Sequence, residues 1–566
     1  MSPTSLPDTG TGSLFQPHII ACIVGGYAAY LFVYRVILYP RFFSPLRNVP
    51  GPPLGNPLLG HYLTIVQEES CIPHRNWAKA YGPVVRMMGI LGKERLFFLS
   101  PDALQQIIAK DWLEYPRPQF MRDVLGLVAG YGLLTTTGDD HKQLRKAMNP
   151  AFSVQNLMAQ TDMYYEPIEG LVEIMKTEIK AEAIPEAGKV FAMYEWMGKV
   201  TLDIICETAF GYKTDCLHNP HNELAVAFEQ LLQLQSGPNL AKLVAILALP
   251  GATNFSRSEF MYRHRWVVGK LPVMSSFEKL VDSLYRIRAI SREMLRSKTA
   301  DLSVAPDDTT TKKDIMSLLV RARKADLDAD PTADAMSDTA MVDQVLTFLA
   351  AGHETTATGL SWTLWLLAND PESQRRLREE VTPIYETNPR PDYRTIKSLT
   401  WLDCVVNESL RVLPPVPLTL RLASKTEYVD GVLVPEGTVI TIPIRVINTW
   451  KEVWGEDAEE FHPARWLNLP PAYNPTFSQF SFITGPHGCI GKTMAISEMK
   501  AVLVALIANF EFAPAYPGQV AHPATAITMS ADFCSSTCFP NLLVAVAEPE
   551  DNMPLRVTRV ARKTPV

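Results

Sequence analysis

A single cysteine, Cys489, lies in a segment whose residue types suit the binding of a large metal-containing ligand. Glycines at positions 485, 488 and 491 surround it, and glycine permits both a sharp turn and the close approach of a flat ligand. Apolar residues at helical spacing follow, which predicts a helix that begins at about Ile490. At a helix N-terminus, unpaired N–H groups and the positive end of the dipole favour a thiolate. Such a thiolate, with space above it, is suited to be the axial ligand of a haem iron.

The spacing around Cys489 is more specific than its residue types. Cysteine usage alone favours a small buried cysteine beside a Gly-rich turn. The order Phe482-x-x-Gly-x-His487-x-Cys489-x-Gly, however, resembles the haem-binding signature of the cytochromes P-450, the haem-thiolate monooxygenases. The resemblance runs from about Pro50 to beyond Cys538, and it implies haem b (iron protoporphyrin IX) as cofactor, with Cys489 as the iron ligand. The family usually has Arg at position 487 as a propionate donor, so a neutral His487 is expected to do this less strongly.

A second stretch with chemical character lies inside the longest helical pattern, residues 337–369. Gly352 and Thr355 are poor helix formers, and such a local conflict usually marks function. The small Ala351-Gly352 pair would leave space for dioxygen against the helix, and the Thr355 hydroxyl can bond the carbonyl four residues earlier or a water. Glu354 supplies an acid that can relay protons. The stretch resembles the family's oxygen-activation motif, which implies catalytic roles for Thr355 and Glu354; the alternative is a kinked core helix with satisfied hydroxyls.

Two further motifs resemble parts of the same family. His141 and Arg145 lie four residues apart and so share one helix face. The family usually has Trp-x-x-x-Arg here, and both side chains meet a haem propionate; His141 replaces the Trp and keeps an N–H donor. Arg421 stands where the family often has another propionate donor. Without the cysteine loop, the His–Arg pair would indicate only a solvated surface. The resemblance implies a cofactor-binding set of Cys489, His141, Arg145, Arg421, His487, Phe482 and Gly352.

A cluster of opposite charges is predicted to support the cysteine loop. Glu408 and Arg411 lie three residues apart on one predicted helix face, a spacing that usually marks a weak surface pair. The prolines that follow, and a later Pro-x-Arg-Trp stretch around Arg465, make the pattern resemble the family's Glu-x-x-Arg motif and its third member. A buried carboxylate between two guanidiniums would be satisfied bidentately. Glu408, Arg411 and Arg465 are therefore expected to form a structural triad.

The elements that must position these residues are predicted to be mostly helices with small β-sheets. The chain has 566 residues, 47% of them hydrophobic and 20% charged, which fits a large globular core. Length alone suggests several domains, but no linker separates them after residue 60, so one large domain is expected. The net charge of −7 argues against nucleic-acid binding. The eight cysteines are scattered without zinc-site spacing, which is typical of reduced thiols in a cytosol-facing protein.

The N-terminal part of the chain is predicted to hold a membrane anchor. Residues 19–39 are apolar except for Arg35, which matches the length needed to cross a bilayer. A cleaved signal peptide is the alternative, but it would have positive charge before the apolar run, whereas here Arg35, Arg41 and Arg47 lie at its end or beyond it. The positive-inside rule places residues 1–18 in the lumen and the rest in the cytosol. A Pro/Gly-rich hinge, residues 40–60, would lead into a haem-thiolate monooxygenase domain, residues 61–566.

The resemblance to microsomal members of the family implies an activity and a location. One atom of O₂ would be inserted into an unactivated bond of a lipophilic small molecule at the endoplasmic reticulum membrane. Electrons would come from NADPH through NADPH–cytochrome reductase, with cytochrome b5 as a second candidate donor. The general character is that of fungal members, which favours secondary metabolism and a terpenoid or steroid substrate.

Three alternatives stay open. A fatty-acid or xenobiotic hydroxylase would share the same chemistry and differ only in substrate. A reductase-independent haem-thiolate isomerase or dehydratase is less favoured, because such members tend to lack the pair formed by Thr355 and Glu354. A non-enzymatic haem carrier or sensor would have no need of that pair. Activity with reductase and NADPH separates these classes.

Overall fold

Helices make up most of the described chain, and strands gather into four small sheets. The computed structural model describes residues 17–219, 221–234, 251–270, 274–304, 314–329, 336–524, 528–534 and 553–560. This architecture confirms the predicted fold class. The predicted lumenal segment, residues 1–18, lies outside the described residues except for its last two positions.

The α-helices of the described chain run from the apolar N-terminal helix to the helix that follows the cysteine loop. In chain order they are α1 (Pro17–Val33), α2 (Tyr62–Gln67), α3 (Ile72–Tyr81), α4 (Pro101–Gln105), α5 (Gln119–Ala129), α6 (Gly138–Met148), α7 (Val154–Gln160), α8 (Tyr165–Lys180), α9 (Met193–Phe210), α10 (Glu223–Gln233), α11 (Ala252–Ser256), α12 (Glu259–Gly269), α13 (Ser275–Val304), α14 (Ile315–Ala329), α15 (Asp338–Asn369), α16 (Pro371–Thr387), α17 (Tyr393–Ser398), α18 (Thr400–Val412), α19 (Ile444–Asn448), α20 (Lys451–Trp454) and α21 (Lys492–Asn509). Two π-helical segments, Tyr34–Phe43 and Gln106–Lys110, and several 3₁₀ turns connect them.

The strands form one four-stranded sheet, one three-stranded sheet and two hairpins. They are β1 (Val84–Met88), β2 (Glu94–Phe98), β3 (Lys189–Ala192), β4 (Thr419–Leu422), β5 (Glu427–Val429), β6 (Val432–Val434), β7 (Val439–Ile442), β8 (Phe510–Pro514), β9 (Val520–Ala524), β10 (Ser530–Cys534) and β11 (Pro554–Arg559). The orders are β1-β2-β7-β4, β3-β11-β8, β5-β6 and β9-β10. Only the β2–β7 pairing is parallel among these described pairs.

The long helix α15 crosses the core and confirms the helix predicted over residues 337–369. Ser337 caps its N-terminus by accepting a hydrogen bond from the Ala340 N–H at 3.2 Å. The helix ends where Asp370 caps α16 and Pro371 enters the first turn of that helix. Helices α9 and α21 pack against α15, and most of its side chains are buried. The helix is therefore enclosed by protein along most of its length.

The N-terminal helix extends farther than the sequence predicted. After α1 the chain continues as a π-helical segment to Phe43 instead of ending at residue 39. That segment contains Pro40, whose missing N–H would interrupt an α-helix. Within the described residues, Ile20–Phe43 is the one stretch long and apolar enough to cross a membrane, a property that an N-terminal signal sequence shares.

The chain that follows this helix is attached to the first sheet. The Ser44 hydroxyl donates to Glu94 at 2.6 Å. Arg86 donates from Nη1 to the carbonyls of Pro40 and Leu46 at 3.1 and 3.2 Å. These bonds hold the start of the predicted hinge against β1 and β2.

Candidate active site

The cysteine loop, residues 482–491, is a tight turn that leads into α21. Gly485 has a φ of +70°, and a Cβ at this position would lie 2.7 Å from the Ile108 carbonyl oxygen, so glycine is required. The Cys489 N–H donates to the Phe482 carbonyl at 2.8 Å, which keeps the chain in the turn as far as Cys489. Helix α21 begins at Lys492, two residues after the predicted start at about Ile490.

The Cys489 side chain is solvent-accessible, whereas the cysteines at 71, 206, 216 and 404 are buried. Burial of the surrounding site raises the pKa of the Cys489 thiol. Backbone N–H bonds from Gly491 and Lys492 and the charge of Arg145 act in the opposite direction. The N–H groups expected from a helix N-terminus therefore face the sulfur, although Cys489 precedes the helix. A reachable cysteine with such donors is suited to bind a metal as a thiolate.

His141 and His487, the two residues that depart from the family pattern, contact each other. Their ring centroids are 4.1 Å apart. The indole ring of Trp112 packs against both, at 5.2 Å from His487 and 5.8 Å from His141. Arg145 lies on the same helix α6 and donates from Nη1 to the Gly488 carbonyl at 2.5 Å. Helix α6 is thereby attached to the cysteine loop.

Two buried guanidiniums lie close to the histidine pair. Arg421 is only 1% exposed, and its Nη1 donates to Thr419 and to the Leu420 carbonyl, while its Nη2 has no partner. Arg117 is also buried and donates to the Leu134 carbonyl at 2.9 Å. Burial lowers the pKa of Arg117 to about 10. Burial and the charge of Arg117 hold the pKa of Arg421 well below its usual range.

These side chains form a basic cluster of five residues: Arg117, His141, Arg145, Arg421 and His487. The charged groups that shift their pKa values are one another and Cys489, and no described carboxylate is among them. Burial, followed by the nearby positive charges, lowers the pKa of His141 to about 4 and that of His487 to about 2. His141 Nδ1, His487 Nδ1 and Arg421 Nη2 are buried without a partner. Buried donors are rarely left unsatisfied, so the cluster has the chemistry of a site for an anionic group.

The motif in the middle of α15 presents one small residue and one hydroxyl. Ala351 is exposed, although the residues of α15 on either side are mostly buried. Thr355 Oγ1 donates to the Ala351 carbonyl at 2.7 Å, the local bond that the sequence predicted. The open side of Gly352 faces α9, because a Cβ there would lie 2.7 Å from Ile205 Cδ1. Gly352 therefore permits the two helices to pack closely, and Ala351 is the exposed member of the pair.

Glu354 is held by residues from two other parts of the chain. The Thr528 hydroxyl donates a short hydrogen bond to Glu354 Oε1. Tyr194, at the start of α9, lies near enough that the charge of Glu354 adds to burial in raising its pKa. The Tyr194 hydroxyl lies 3.3 Å from the Thr358 hydroxyl. The acid of the α15 motif is thus oriented by the Thr528 hydroxyl.

The structure brings Glu408, Arg411 and Arg465 together in the core. Arg411 binds Glu408 through Nε at 2.7 Å and Nη2 at 2.8 Å, and Arg465 Nε reaches the same carboxylate at 3.2 Å. Arg411 also donates to the Asn448 carbonyl at 3.1 Å. The Asn448 side chain accepts the Phe480 N–H at 2.6 Å. The three charges are therefore connected to the chain that enters the cysteine loop.

The comparisons with known proteins agree with this geometry. The cytochrome P-450 family profile matches residues 50–526, which contain the cysteine loop, the basic cluster and α15. The chain belongs to the cytochrome P-450 family. It is 34% identical to cytochrome P-450 monooxygenase 205 of Postia placenta over 500 residues, 84% of this chain and 87% of that protein. It is 30% identical to cytochrome P-450 monooxygenase sphH of Aspergillus fumigatus over 521 residues, 89% of this chain and 90% of that protein.

This P-450 is a haem-thiolate monooxygenase, and its residues fit haem. Haem carries two propionate groups, and the basic cluster offers unpartnered donors on His141, His487 and Arg421 with no described carboxylate beside them. The reachable sulfur of Cys489 lies on the loop that Arg145 binds. A P-450 also acts on a small-molecule substrate and receives electrons from a redox partner.

Four residues of this P-450 site were not predicted as site residues: Arg117, Trp112, Tyr194 and Thr528. Arg117 does not stand out in the sequence, because the charged residues Glu114, Arg122 and Asp123 lie within six positions of it. The other three gave no signal, because their contacts join residues far apart in the chain. Thr528, for example, meets an acid 174 positions away.

Proposed function

We propose that this P-450 is a membrane-anchored monooxygenase of the endoplasmic reticulum that oxidises a lipophilic small molecule, of terpenoid or steroid class, in fungal secondary metabolism. The observation that carries the proposal is the reachable Cys489 beside a buried basic cluster with unpartnered donors. The fungal origin of the similar proteins supports the pathway class. The apolar N-terminal helix supports the location and a substrate that partitions into lipid.

In this proposal the cysteine loop and the basic cluster hold the cofactor. Cys489 would ligate the iron, and the five residues of the basic cluster would donate hydrogen bonds to the propionates. Phe482 closes the turn through its carbonyl, and its ring lies 5.7 Å from Lys492 Nζ. When bound, the haem supplies a thiolate-ligated iron that activates dioxygen. Gly352 contributes by letting α15 pack against α9.

Thr355 and Glu354 manage protons in this proposal. The Thr355 hydroxyl donates a hydrogen bond to the Ala351 carbonyl. The same oxygen can accept a hydrogen bond from a group that delivers a proton. Glu354 stands next to it in sequence and accepts a hydrogen bond from Thr528, so its carboxyl is oriented before the reaction. A positioned acid contributes about a hundredfold or more to a proton-transfer step.

Glu408, Arg411 and Arg465 have a structural role in this proposal. Their bonds connect α18 to the segment before Phe482 through Asn448. The triad therefore fixes the position of the cysteine loop whether or not haem is bound.

The proposal is tested with the full-length protein in lipid nanodiscs, NADPH and NADPH–cytochrome reductase, with or without cytochrome b5. Progesterone, a sesquiterpene and lauric acid serve as probes, and mass spectrometry follows isotope-labelled O₂ into products. We expect one labelled oxygen atom in the steroid or the terpene, only when both NADPH and reductase are present. Labelled lauric acid alone would move the assignment to fatty-acid hydroxylation, and product without reductase or NADPH would contradict the proposal.

A matched pair of variants tests the role of the α15 hydroxyl. We expect Thr355→Val to lower product formation by about a hundredfold. Thr208→Val removes a hydroxyl from the neighbouring helix α9, where it bonds only the Ile204 carbonyl, and is expected to retain activity. Equal losses in both variants would show that Thr355 has only a structural role.

A further inference from the structure

A cavity lies between the end of the N-terminal helix and the first sheet. Three segments form its walls: residues 36–37 of the π-helical segment, residues 54–60 of the predicted hinge, and residues 88–92 at the end of β1 and in the turn after it. Its volume is about 160 Å³, similar to that of an engineered cavity of roughly 150 Å³ that takes up benzene. This junction cavity is therefore large enough for an apolar group of several carbon atoms.

The lining of the junction cavity is apolar. Asn56 is the one described lining residue with a polar side chain, and its Oδ1 accepts the N–H groups of Leu58 and Leu59 at 2.9 and 3.0 Å. The Gly60 N–H donates to the Asn56 carbonyl at 2.7 Å, and the Asn56 N–H donates to the Gly60 carbonyl at 3.0 Å. Because a buried water needs polar partners and these groups are already paired, the junction cavity favours an apolar ligand.

Close backbone packing fixes the three walls to one another. Gly92 has a φ of +69°, and a Cβ there would lie 2.9 Å from the Arg35 carbonyl oxygen and from Val36 Cα, so glycine lets the turn touch the N-terminal helix. The Leu91 N–H donates to the Leu58 carbonyl at 2.8 Å, which joins the turn to the predicted hinge. The junction cavity is therefore part of the folded structure.

The junction cavity lies beside the end of the apolar stretch that could cross a membrane. Its wall at residues 36–37 precedes the end of that stretch, Phe43, by about two turns. Around it, the large apolar side chains of Ile37, Leu58 and Leu91 are 40%, 55% and 48% exposed, and an exposed apolar patch of this kind marks a contact surface. In a membrane-anchored protein, this surface lies where acyl chains meet the headgroups.

Positive charges flank the junction cavity. Arg35 and Lys93 are exposed, and in the chain they directly adjoin the lining residues Val36 and Gly92. Cationic side chains near a bilayer surface are attracted to phosphate-bearing headgroups. The apolar cavity and the adjacent cations therefore match the two parts of a phospholipid.

We propose that the junction cavity binds one acyl chain of a membrane phospholipid. The inference rests on the membrane anchoring that is part of the proposed function. The bound chain fills the space between the N-terminal helix and the first sheet, so lipid as well as protein joins the anchor to the haem domain.

Photochemical labelling of the full-length haem-loaded protein tests this site. The protein is placed in nanodiscs of phosphatidylcholine that carries a diazirine on one acyl chain, and mass spectrometry maps the adducts after illumination. Met88 lines the junction cavity and is 4% exposed, whereas the preceding Met87 is 1% exposed and packs in the core. We expect an adduct at Met88 and none at Met87, because only a chain inside the cavity reaches Met88. Absence of the Met88 adduct, or equal labelling of both methionines, would overturn the proposal.

A matched pair of variants on the N-terminal helix tests whether the cavity itself is needed. We expect Val36→Phe to lower the Met88 adduct by about tenfold, because the larger ring occupies space that the chain needs. Val24→Phe makes the same change at a position that is 61% exposed and outside the cavity lining, and it should label like the wild type. Leu54→Phe fills the cavity from the hinge side and keeps the test valid if Val36→Phe does not fold. A full Met88 adduct in a folded cavity-filling variant would overturn the proposal.

Competition identifies the source of the acyl chain. Unlabelled lauric acid added to the same nanodiscs should leave the Met88 adduct unchanged, because the bilayer supplies phospholipid in large excess. Loss of the adduct would contradict the proposal, since it would show that a free fatty acid occupies the junction cavity.

Two further readouts separate this proposal from the proposed function. A wild type that resists extraction from membranes by alkaline carbonate, has an intact thiolate-haem band with carbon monoxide and gives no Met88 adduct would refute the lipid site alone. A wild type that alkaline carbonate releases from membranes would refute the proposed membrane anchoring itself.

Discussion

The triad of Glu408, Arg411 and Arg465 and the basic cluster both bury guanidinium groups, but only the triad contains a carboxylate. In the triad, Glu408 is 0% exposed and accepts bonds from both arginines and from Trp466 Nε1 at 2.9 Å. In the basic cluster, Arg421 is as deeply buried, yet one of its nitrogens has no partner. The two regions share a side-chain type and differ in whether the chain supplies the opposite charge.

This difference teaches which buried charges serve the fold and which serve a ligand. Burying a charge costs several kcal/mol unless an opposite charge and hydrogen bonds offset it. In the triad, Glu408 offsets the cost of burying the two arginines, so the triad stabilises the cysteine loop in the absence of any ligand. In the basic cluster, this cost is offset only when an anionic group binds, so the contribution of the cluster to stability depends on the cofactor.

The largest expected effect comes from breaking the triad. Glu408→Gln leaves two buried guanidiniums without an opposite charge, and we expect the free energy of unfolding to fall by about 3–5 kcal/mol. Urea unfolding of the wild type and the variant measures this loss of free energy. The control is Glu459→Gln, a partly exposed acid paired with Arg75 and Lys79, for which about 1 kcal/mol or less is expected. Equal losses in the two variants would remove the distinction between buried and surface charge on which the comparison depends.

The corresponding change in the basic cluster should have the opposite effect on the haem-free protein. Arg421→Met removes an uncompensated buried charge, so the haem-free protein should be at least as stable as the wild type. The same variant should bind haem about ten- to a hundredfold more weakly, since a hydrogen bond to a charged group contributes about 1.5–3 kcal/mol. Thermal unfolding and haem transfer to apomyoglobin measure the two effects. Arg390→Met, which alters an exposed pair with Glu169, is the control.

A haem-free Arg421→Met protein as unstable as Glu408→Gln would contradict this account. It would mean that Arg421 has a structural partner in the folded chain and that the basic cluster does not await an anion.

The two histidines of the basic cluster predict a pH dependence of smaller size. Their folded pKa values, about 4 for His141 and about 2 for His487, lie below the unfolded value of about 6.5. The unfolded state therefore binds more protons, so stability is fully present above about pH 6.5 and falls as the pH drops towards 4. Between pH 6.5 and 5 we expect the haem-free wild type to lose about 1–2 kcal/mol more than either single variant, His141→Gln or His487→Gln. Denaturation midpoints across this pH range measure the loss of stability. A wild type that gains stability in acid would refute the lowered pKa values of the two histidines.

The smallest effect concerns a buried acid that lacks an opposite charge. Burial raises the pKa of Glu498, on α21, well above its usual range, and its Oε1 has no partner. Because the folded pKa exceeds the unfolded value of about 4.5, stability is lost as the pH rises above that value. Glu498→Gln should therefore stabilise the protein by about 1 kcal/mol more at pH 8 than at pH 5. Glu511→Gln, on the exposed side of β8, is the control, and an equal response in both variants would contradict the prediction.

The site residues that could be predicted from the sequence all lie in short motifs. The loop around Cys489, the α15 motif and the pair of Glu408 with Arg411 each lie within a few residues, so their spacing is visible in the chain. The long helix was predictable because Ser337 and Asp370 supply its boundaries. The fold class followed from the same helical spacing.

Long-range contacts decided what the sequence did not show. The hydrogen bond that closes the cysteine loop joins Cys489 to Phe482, and the close packing at Gly352 involves Ile205 of another helix. The contact between His141 and His487 joins two departures from the family pattern that are far apart in the chain. Spacing within one segment carries no information about such partners.

The most direct test of the central claim is the carbon monoxide difference spectrum of the dithionite-reduced protein in membranes. Wild type is compared with Cys489→Ser and with Cys404→Ser, which changes a buried cysteine outside the loop. A strongly red-shifted Soret band in wild type and Cys404→Ser, lost in Cys489→Ser, is the predicted result for thiolate-ligated haem. A band that survives in Cys489→Ser, or folded wild type that binds no haem, would contradict the account.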